Sequence, residues 1–134
     1  MSSVTVTTQV TSDASSKTLD VKDHGAPIGV PQETDATNLV WELTGAAAQG
    51  SFNTIDLTNE DSGFYWIDTP PSGIFSTPVL AANGNQITMM DDHSNGNSSG
   101  GPWRYKLNAT IGGQQYSTTA TITATTNNPE IKNN

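Results

Sequence analysis

Trp103-Arg-Tyr-Lys-Leu-Asn-Ala-Thr-Ile111, then Gly112-Gly113, then Gln114-Gln-Tyr-Ser-Thr-Thr-Ala-Thr-Ile-Thr-Ala124 is the stretch that decides the fold. Apolar residues recur at every second position on both sides of the glycines. A two-residue glycine loop is the natural joint for such a pair, because hairpin turns need positive φ where the chain reverses. With Gly112 and Gly113 as the loop, Ile111 faces Gln114, Ala109 faces Tyr116 and Leu107 faces Thr118. Tyr105 then faces Ala120, and Trp103 faces Ile122. Both apolar sets fall on one side, as a half-buried hairpin requires. Arg104, Lys106, Asn108, Thr119, Thr121 and Thr123 share the other.

Outward from this hairpin the same pattern returns in shorter pieces. Val4 to Val10, Leu19 to Val21 and Leu39 to Leu43 alternate as strands, with Trp41 assigned to the core. Ala26 to Thr37 reads as an extended connection, and the Ala run in Gly45 to Gly50 is too short for a stable helix. Phe52, Ile55 and Leu57 suggest a further strand, and Phe64 to Ile67 is the most aromatic segment. Pro78 to Leu80 and Gln86 to Met90 flank Asn83-Gly84-Asn85, a second hairpin signal. The chain is expected to be all-β: an antiparallel, immunoglobulin-like β-sandwich of about eight or nine short strands, with a small closed barrel as the alternative. Its 134 residues suit a single domain, 1–134, in which 125–134 form a C-terminal tail or last strand.

Composition limits the function. The formal net charge is −8 with five Lys or Arg, which argues against nucleic acid, whose binding needs clustered cations. There are no cysteines, so disulfides, thiolate metal sites and Cys nucleophiles are ruled out. No apolar run reaches the roughly 20 residues a membrane-spanning helix needs. The N-terminus shows no signal-peptide pattern, so synthesis in the cytoplasm is expected, with any export by a signal-independent route.

Candidate chemistry is sparse. Asp91, Asp92 and Asn95 sit in a Ser/Asn/Gly-rich loop, Asp91 to Gly101, with oxygens at alternating positions, which suggests a weak calcium site. An EF-hand would need an acid where Pro102 stands, so a solvated flexible loop is the plainer expectation. Asp68 lies between Phe64-Tyr65-Trp66-Ile67 and Pro70-Pro71. A carboxylate pressed on apolar groups has a raised pKa and can move protons; the alternative is an Asx-turn. His24 and His93 are distant in sequence, and no Gly-x-Ser-x-Gly elbow accompanies them. Asn108-Ala109-Thr110 fits a glycosylation sequon within a strand. Lys106 is read as a solvated strand lysine or, if buried beside an acid, as an amine that forms an amide with an Asn or Asp side chain.

The aromatic-Asp-Thr-Pro-Pro loop at Trp66 to Pro71 and the closing Asn128-Pro-Glu-Ile-Lys-Asn-Asn134 resemble the DP-EP family of small bacterial β-sandwich proteins. The resemblance implies a self-cleaving, self-assembling endopeptidase. It would cut at Asn128-Pro129, with Asp68 activating water and Lys106 taking the freed acyl group. The chain departs from the family pattern in carrying Asn128 where the family has Asp, whose own carboxyl drives cleavage. If the hairpin ran straight, Asn128 would also lie roughly 30 Å from Lys106. The functional expectation is therefore a structural or interaction domain, a homo-oligomer or larger assembly, joined through strand edges or its C-terminal strand. Autoproteolysis at Asn128-Pro129 is the first alternative. The second is a carbohydrate- or calcium-binding module using Tyr65, Trp66 and the 91–97 loop.

Overall fold

The computed structural model describes residues 4–21, 28–118 and 129–134. Among the described residues eleven strands run in chain order: β1 (Thr5–Asp13), β2 (Thr18–Val21), β3 (Ile28–Val30), β4 (Thr37–Leu43), β5 (Ser51–Phe52), β6 (Phe64–Trp66), β7 (Val79–Leu80), β8 (Gln86–Asp91), β9 (Gly100–Ile111), β10 (Gln114–Ser117) and β11 (Glu130–Asn133). Two 3₁₀ turns, Gly45–Gln49 and Gly96–Ser98, are the only helical elements among the described residues. The protein is all-β, and the sheet is not closed into a barrel. Its order is β3-β11-β9-β10-β2-β1-β4-β8-β7, with β5 and β6 also paired to β9.

The opening hairpin forms as its alternation requires. Gln114 pairs with Ile111 and Tyr116 with Ala109. Both turn glycines have positive φ, +58° and +77°, the backbone a two-residue primed turn demands. Leu107 and Thr118 close the register through Leu107 N–H to Thr118 Oγ1, 3.0 Å, and Thr118 N–H to the Leu107 carbonyl, 3.1 Å. The expected partners Ala120 and Ile122 lie outside the described residues, as do Thr119, Thr121 and Thr123.

Beyond Thr118 the edge of β9 belongs to the C-terminal strand. Tyr105 N–H donates to the Pro129 carbonyl at 2.9 Å, and Glu130 and Ile131 pair with Arg104 and Trp103. Pro129 therefore stands where straight continuation would put Ala120. Asn128, for which a separation of roughly 30 Å was expected, lies outside the described residues, but Pro129 beside it stands one register place from Lys106.

The sheet is mixed, which period-2 patterning does not reveal. β1 runs parallel to β4, β2 to β10 and β3 to β11, while the remaining pairs are antiparallel. β3 lies within the stretch expected to be a plain extended connection. The strand expected through Phe52, Ile55 and Leu57 stops at Phe52.

The core shows how the sheet is arranged. β4 is four places from β9 in the order, about 19 Å in a flat sheet. Yet the rings of Trp41 on β4 and Tyr105 on β9 lie 5.3 Å apart. The sheet therefore doubles over, and its two halves bury a common interior. Trp41, Phe64, Leu39, Ile87, Met89, Leu107 and Ile131 fill that interior. Phe64 stacks on Tyr105 at 5.1 Å and meets Trp41 at 5.2 Å. Trp41 Nε1–H donates to the Tyr105 hydroxyl at 2.8 Å, so the two polar atoms in this aromatic centre satisfy each other. Burial holds the Tyr105 phenol well above its ordinary pKa.

Candidate functional site

β11 and the groups that hold it form a buried polar site. β11 lies between β9 and β3, and neither partner is joined to it by a short turn. Ile131 is fully buried, and Asn133 is 1% exposed. Gly101 on β9 makes room for this strand. A Cβ there would sit 2.8 Å from the Ile131 carbonyl oxygen, closer than side chains tolerate.

Asn133 enters a socket of polar groups from the other half of the sheet. Its amide nitrogen donates to Asp91 Oδ1 at 3.0 Å and to the Ser98 carbonyl at 2.9 Å. His93 is also buried. Its Nδ1 lies 2.8 Å from Ser98 Oγ, and its Nε2 lies 2.5 Å from the main-chain oxygen of Asn134. Asn134 N–H donates to Val30 at 3.0 Å. Asp91 has no exposed surface, and burial pushes its pKa up to about 6, with the Asn133 hydrogen bond and His93 opposing the rise. Two acceptors here, Asp91 Oδ2 and Asn133 Oδ1, are buried without a hydrogen-bond partner among the described residues.

This socket refines two expectations. The loop from Asp91 to Gly101 is exposed at most of its positions, as a solvated loop would be, but not at all of them. His93 and Ser98 face inward, and the Gly96–Ser98 3₁₀ turn is capped by Asn95 Oδ1 accepting from Asn97 N–H. Nor do Asp91, Asp92 and Asn95 converge as calcium ligands. Asp91 points into the core at the end of β8, Asp92 points out, and the Asn95 oxygen is occupied by its cap. No group of three or more acidic, His or Cys side chains suited to a metal occurs among the described residues.

Asp68 is also placed differently from expectation. Both its oxygens meet Arg104, with Nε to Oδ2 at 2.7 Å and Nη2 to Oδ1 at 3.1 Å, and Arg104 N–H reaches Oδ2 at 3.2 Å. These bonds hold the Asp68 pKa below the usual carboxylate value instead of above it, so the group is a poor base. It makes a fork to arginine, not the Asx-turn offered as the plainer reading.

Lys106 is half-buried on the outward side of β9. With Lys17, Asn53, Asp61, Asn108, Gln115 and Tyr116 it lines a cavity of about 510 Å³. The amides of this cavity bond mainly to one another and to main chain. Asn53 Nδ2 donates to the Asp61 carbonyl and to Gln115 Oε1, and Gln115 Nε2 donates to Thr110 Oγ1. Asn108 Nδ2 donates to the carbonyls of Glu60 and Ser62, so the sequon asparagine is buried with its amide engaged. The structure brings Lys106 and Pro129 to adjacent registers and sets Asp68 beside Arg104. Asn128 and His24 lie outside the described residues.

The two aromatics expected to offer a sugar platform, Tyr65 and Trp66, are both half-buried. Trp66 packs against Phe64 and Phe75 at 5.0 Å each, which covers part of the ring that a sugar would stack on. No helix among the described residues is long and apolar enough to cross a membrane.

The buried socket was missed in the sequence, although one signal was present. Ile87, Met89 and Asp91 share the inward parity of β8, so the alternation that buries the first two also buries the carboxylate. No protein-family model matches the sequence, and no curated protein matches it.

Proposed function

We propose that the protein is a structural or interaction domain, an immunoglobulin-like β-sandwich that self-associates through its C-terminal strand. The observation that carries this reading is the position of β11. It is bonded on both edges, its side chains Ile131 and Asn133 are buried, and neither neighbour reaches it through a tight turn. A second copy could supply the same strand to the same slot with the same contacts, which makes exchange a low-cost route to assembly. Light scattering across a concentration series tests it. Assemblies whose mass rises with concentration, and which are reduced by removing residues 129–134, are expected. One monomer mass at every concentration contradicts the reading.

One observation favours a second reading, self-cleavage at Asn128-Pro129 with Lys106 as acceptor. Pro129 stands one register place from Lys106. Asp68 is not the base in this version, because Arg104 occupies both of its oxygens and lowers its affinity for a proton. Intact mass after long incubation decides it. Loss of residues 129–134, or loss of ammonia through a Lys–Asn amide, is the expected signature, and an unchanged full-length mass removes it.

A further inference from the structure

Buried carboxylates that remain ionised are usually met by donors at both oxygens. Asp91 has a donor at one oxygen only. Asn133 Nδ2 serves Oδ1, while Oδ2 is buried and unmet among the described residues. The second unmet acceptor in the same socket is Oδ1 of the same asparagine. Turning the Asn133 amide over does not help. It would set its oxygen against Asp91 Oδ1 and the Ser98 carbonyl, both acceptors. A proton on Asp91 Oδ2 would give that oxygen a hydrogen to donate, and Asn133 Oδ1 is the unmet acceptor on the side chain already bonded to Asp91 Oδ1. A carboxylic acid and a primary amide then make a cyclic pair, N–H to one carbonyl oxygen and O–H to the other.

We propose that the C-terminal strand is latched by a proton: Asp91, as the neutral acid, and Asn133 form a two-bond pair that docks β11 and weakens when Asp91 ionises. No covalent bond changes; the proton comes from solvent as the strand docks and returns to it on release. The latch acts in the same way whether β11 comes from its own chain or from a second copy, so it does not depend on the proposed self-association.

The surroundings suit this role. β4 presents Thr37 to Asp91, the segment before β7 presents Phe75, and the 3₁₀ turn presents Ser98, none of them charged. Among the described residues, the titratable neighbours are His93, which opposes the rise in the Asp91 pKa, and Asp92, which adds to it from the solvent side. On β11, Lys132 faces out and is exposed, and Glu130 lies at the Arg104 register, away from the socket. Burial sets proton release from docked Asp91 at about 6, against 3.8 for an exposed carboxyl. A shift of that size holds the proton about 100-fold more tightly in the docked state.

Hydrogen exchange of the β11 amides, corrected for the intrinsic effect of pH, tests the latch in the full chain. Protection of Ile131 and Asn133 should fall about 100-fold between pH 4 and pH 8. In Asp91→Asn the amide supplies the second donor without titrating, so protection should stay high and flat. A flat profile in the unmodified chain overturns the proposal. So does an Asp91→Asn chain that keeps the full dependence, since that would assign it to His93. A carbon-13 titration of the Asp91 carboxyl in the unmodified chain gives an independent reading. A midpoint near 6 supports the latch, and one near 4 overturns it.

Discussion

The aromatic centre and the β11 socket each bury polar atoms, but they satisfy them differently. In the centre, one donor meets one acceptor: Trp41 Nε1–H on the Tyr105 hydroxyl, with neither group ionised near neutral pH. In the socket, Asn133 donates twice, while Asp91 Oδ2 and Asn133 Oδ1 are left without a hydrogen-bond partner among the described residues. A core closed by neutral partners is indifferent to pH, whereas one that contains a carboxylate is complete in only one protonation state. The comparison teaches where this fold is fixed and where it is conditional. β4, β6 and β9 are joined through apolar rings, and β11 through a titratable pair.

The largest effect should come from breaking the fixed side. Trp41→Ala removes a fully buried ring that touches Phe64 and Tyr105, and should cost about 3–5 kcal/mol in denaturant unfolding. That loss should be the same at pH 5 and pH 8.

The conditional side should respond to pH instead. Asp91 has a folded-state pKa raised from 3.8 to about 6. Its contribution is therefore fully present below 3.8 and is lost as pH rises through 6, a swing of about 3 kcal/mol. Asp13, Asp56 and Asp68 have lowered pKa values and act in the opposite sense, losing their contribution as pH falls. The measurement that isolates Asp91 is thus the difference in unfolding free energy between the unmodified chain and Asp91→Asn, followed across pH 3 to 8.

A milder change sharpens the contrast. Tyr105→Phe leaves the Trp41 N–H buried without its acceptor and should cost about 1–2 kcal/mol, again independent of pH. The smallest effect belongs to the surface. Asp68→Asn breaks a fork to Arg104 that is 39% exposed on the aspartate side, and should change stability by about 0.5 kcal/mol, less at high salt. If Asp68→Asn also stopped any self-cleavage seen by mass, Asp68 would regain the role that its arginine fork denies it.

The hairpin was readable because everything that fixes it is local. Gly112-Gly113 sets the turn, and the parity of Tyr105, Leu107 and Ala109 sets the buried side. The register then follows to Thr118 without knowledge of any other strand. The C-terminal strand was readable only as a tail or last strand somewhere within 125–134. Its partners, Ile28 and Trp103, are distant in sequence, and alternation carries no information about which strand pairs with which. The same ignorance hid the three parallel pairs. Asp91 shows a different failure. Its parity with Ile87 and Met89 was visible, but a carboxylate in an Asp-Asp-His-Ser run suggests solvent or calcium before it suggests a core. His93 and Ser98 followed it into the polar loop for the same reason. Their partners lie at the C-terminal strand: Asn133, 42 residues from Asp91 along the chain, meets Asp91 and Ser98, and the Asn134 main-chain oxygen meets His93.

The central claim is that β11 fills a slot open to a second copy, and a cross-link reads it directly. Arg104 and Glu130 are register partners on β9 and β11, and the chain has no cysteine of its own. In a chain carrying Arg104→Cys and Glu130→Cys, oxidised at high concentration and run without reductant, the account predicts disulfide-linked dimers and larger species that neither single variant forms in this way. A cross-link confined within each chain at every concentration would contradict it.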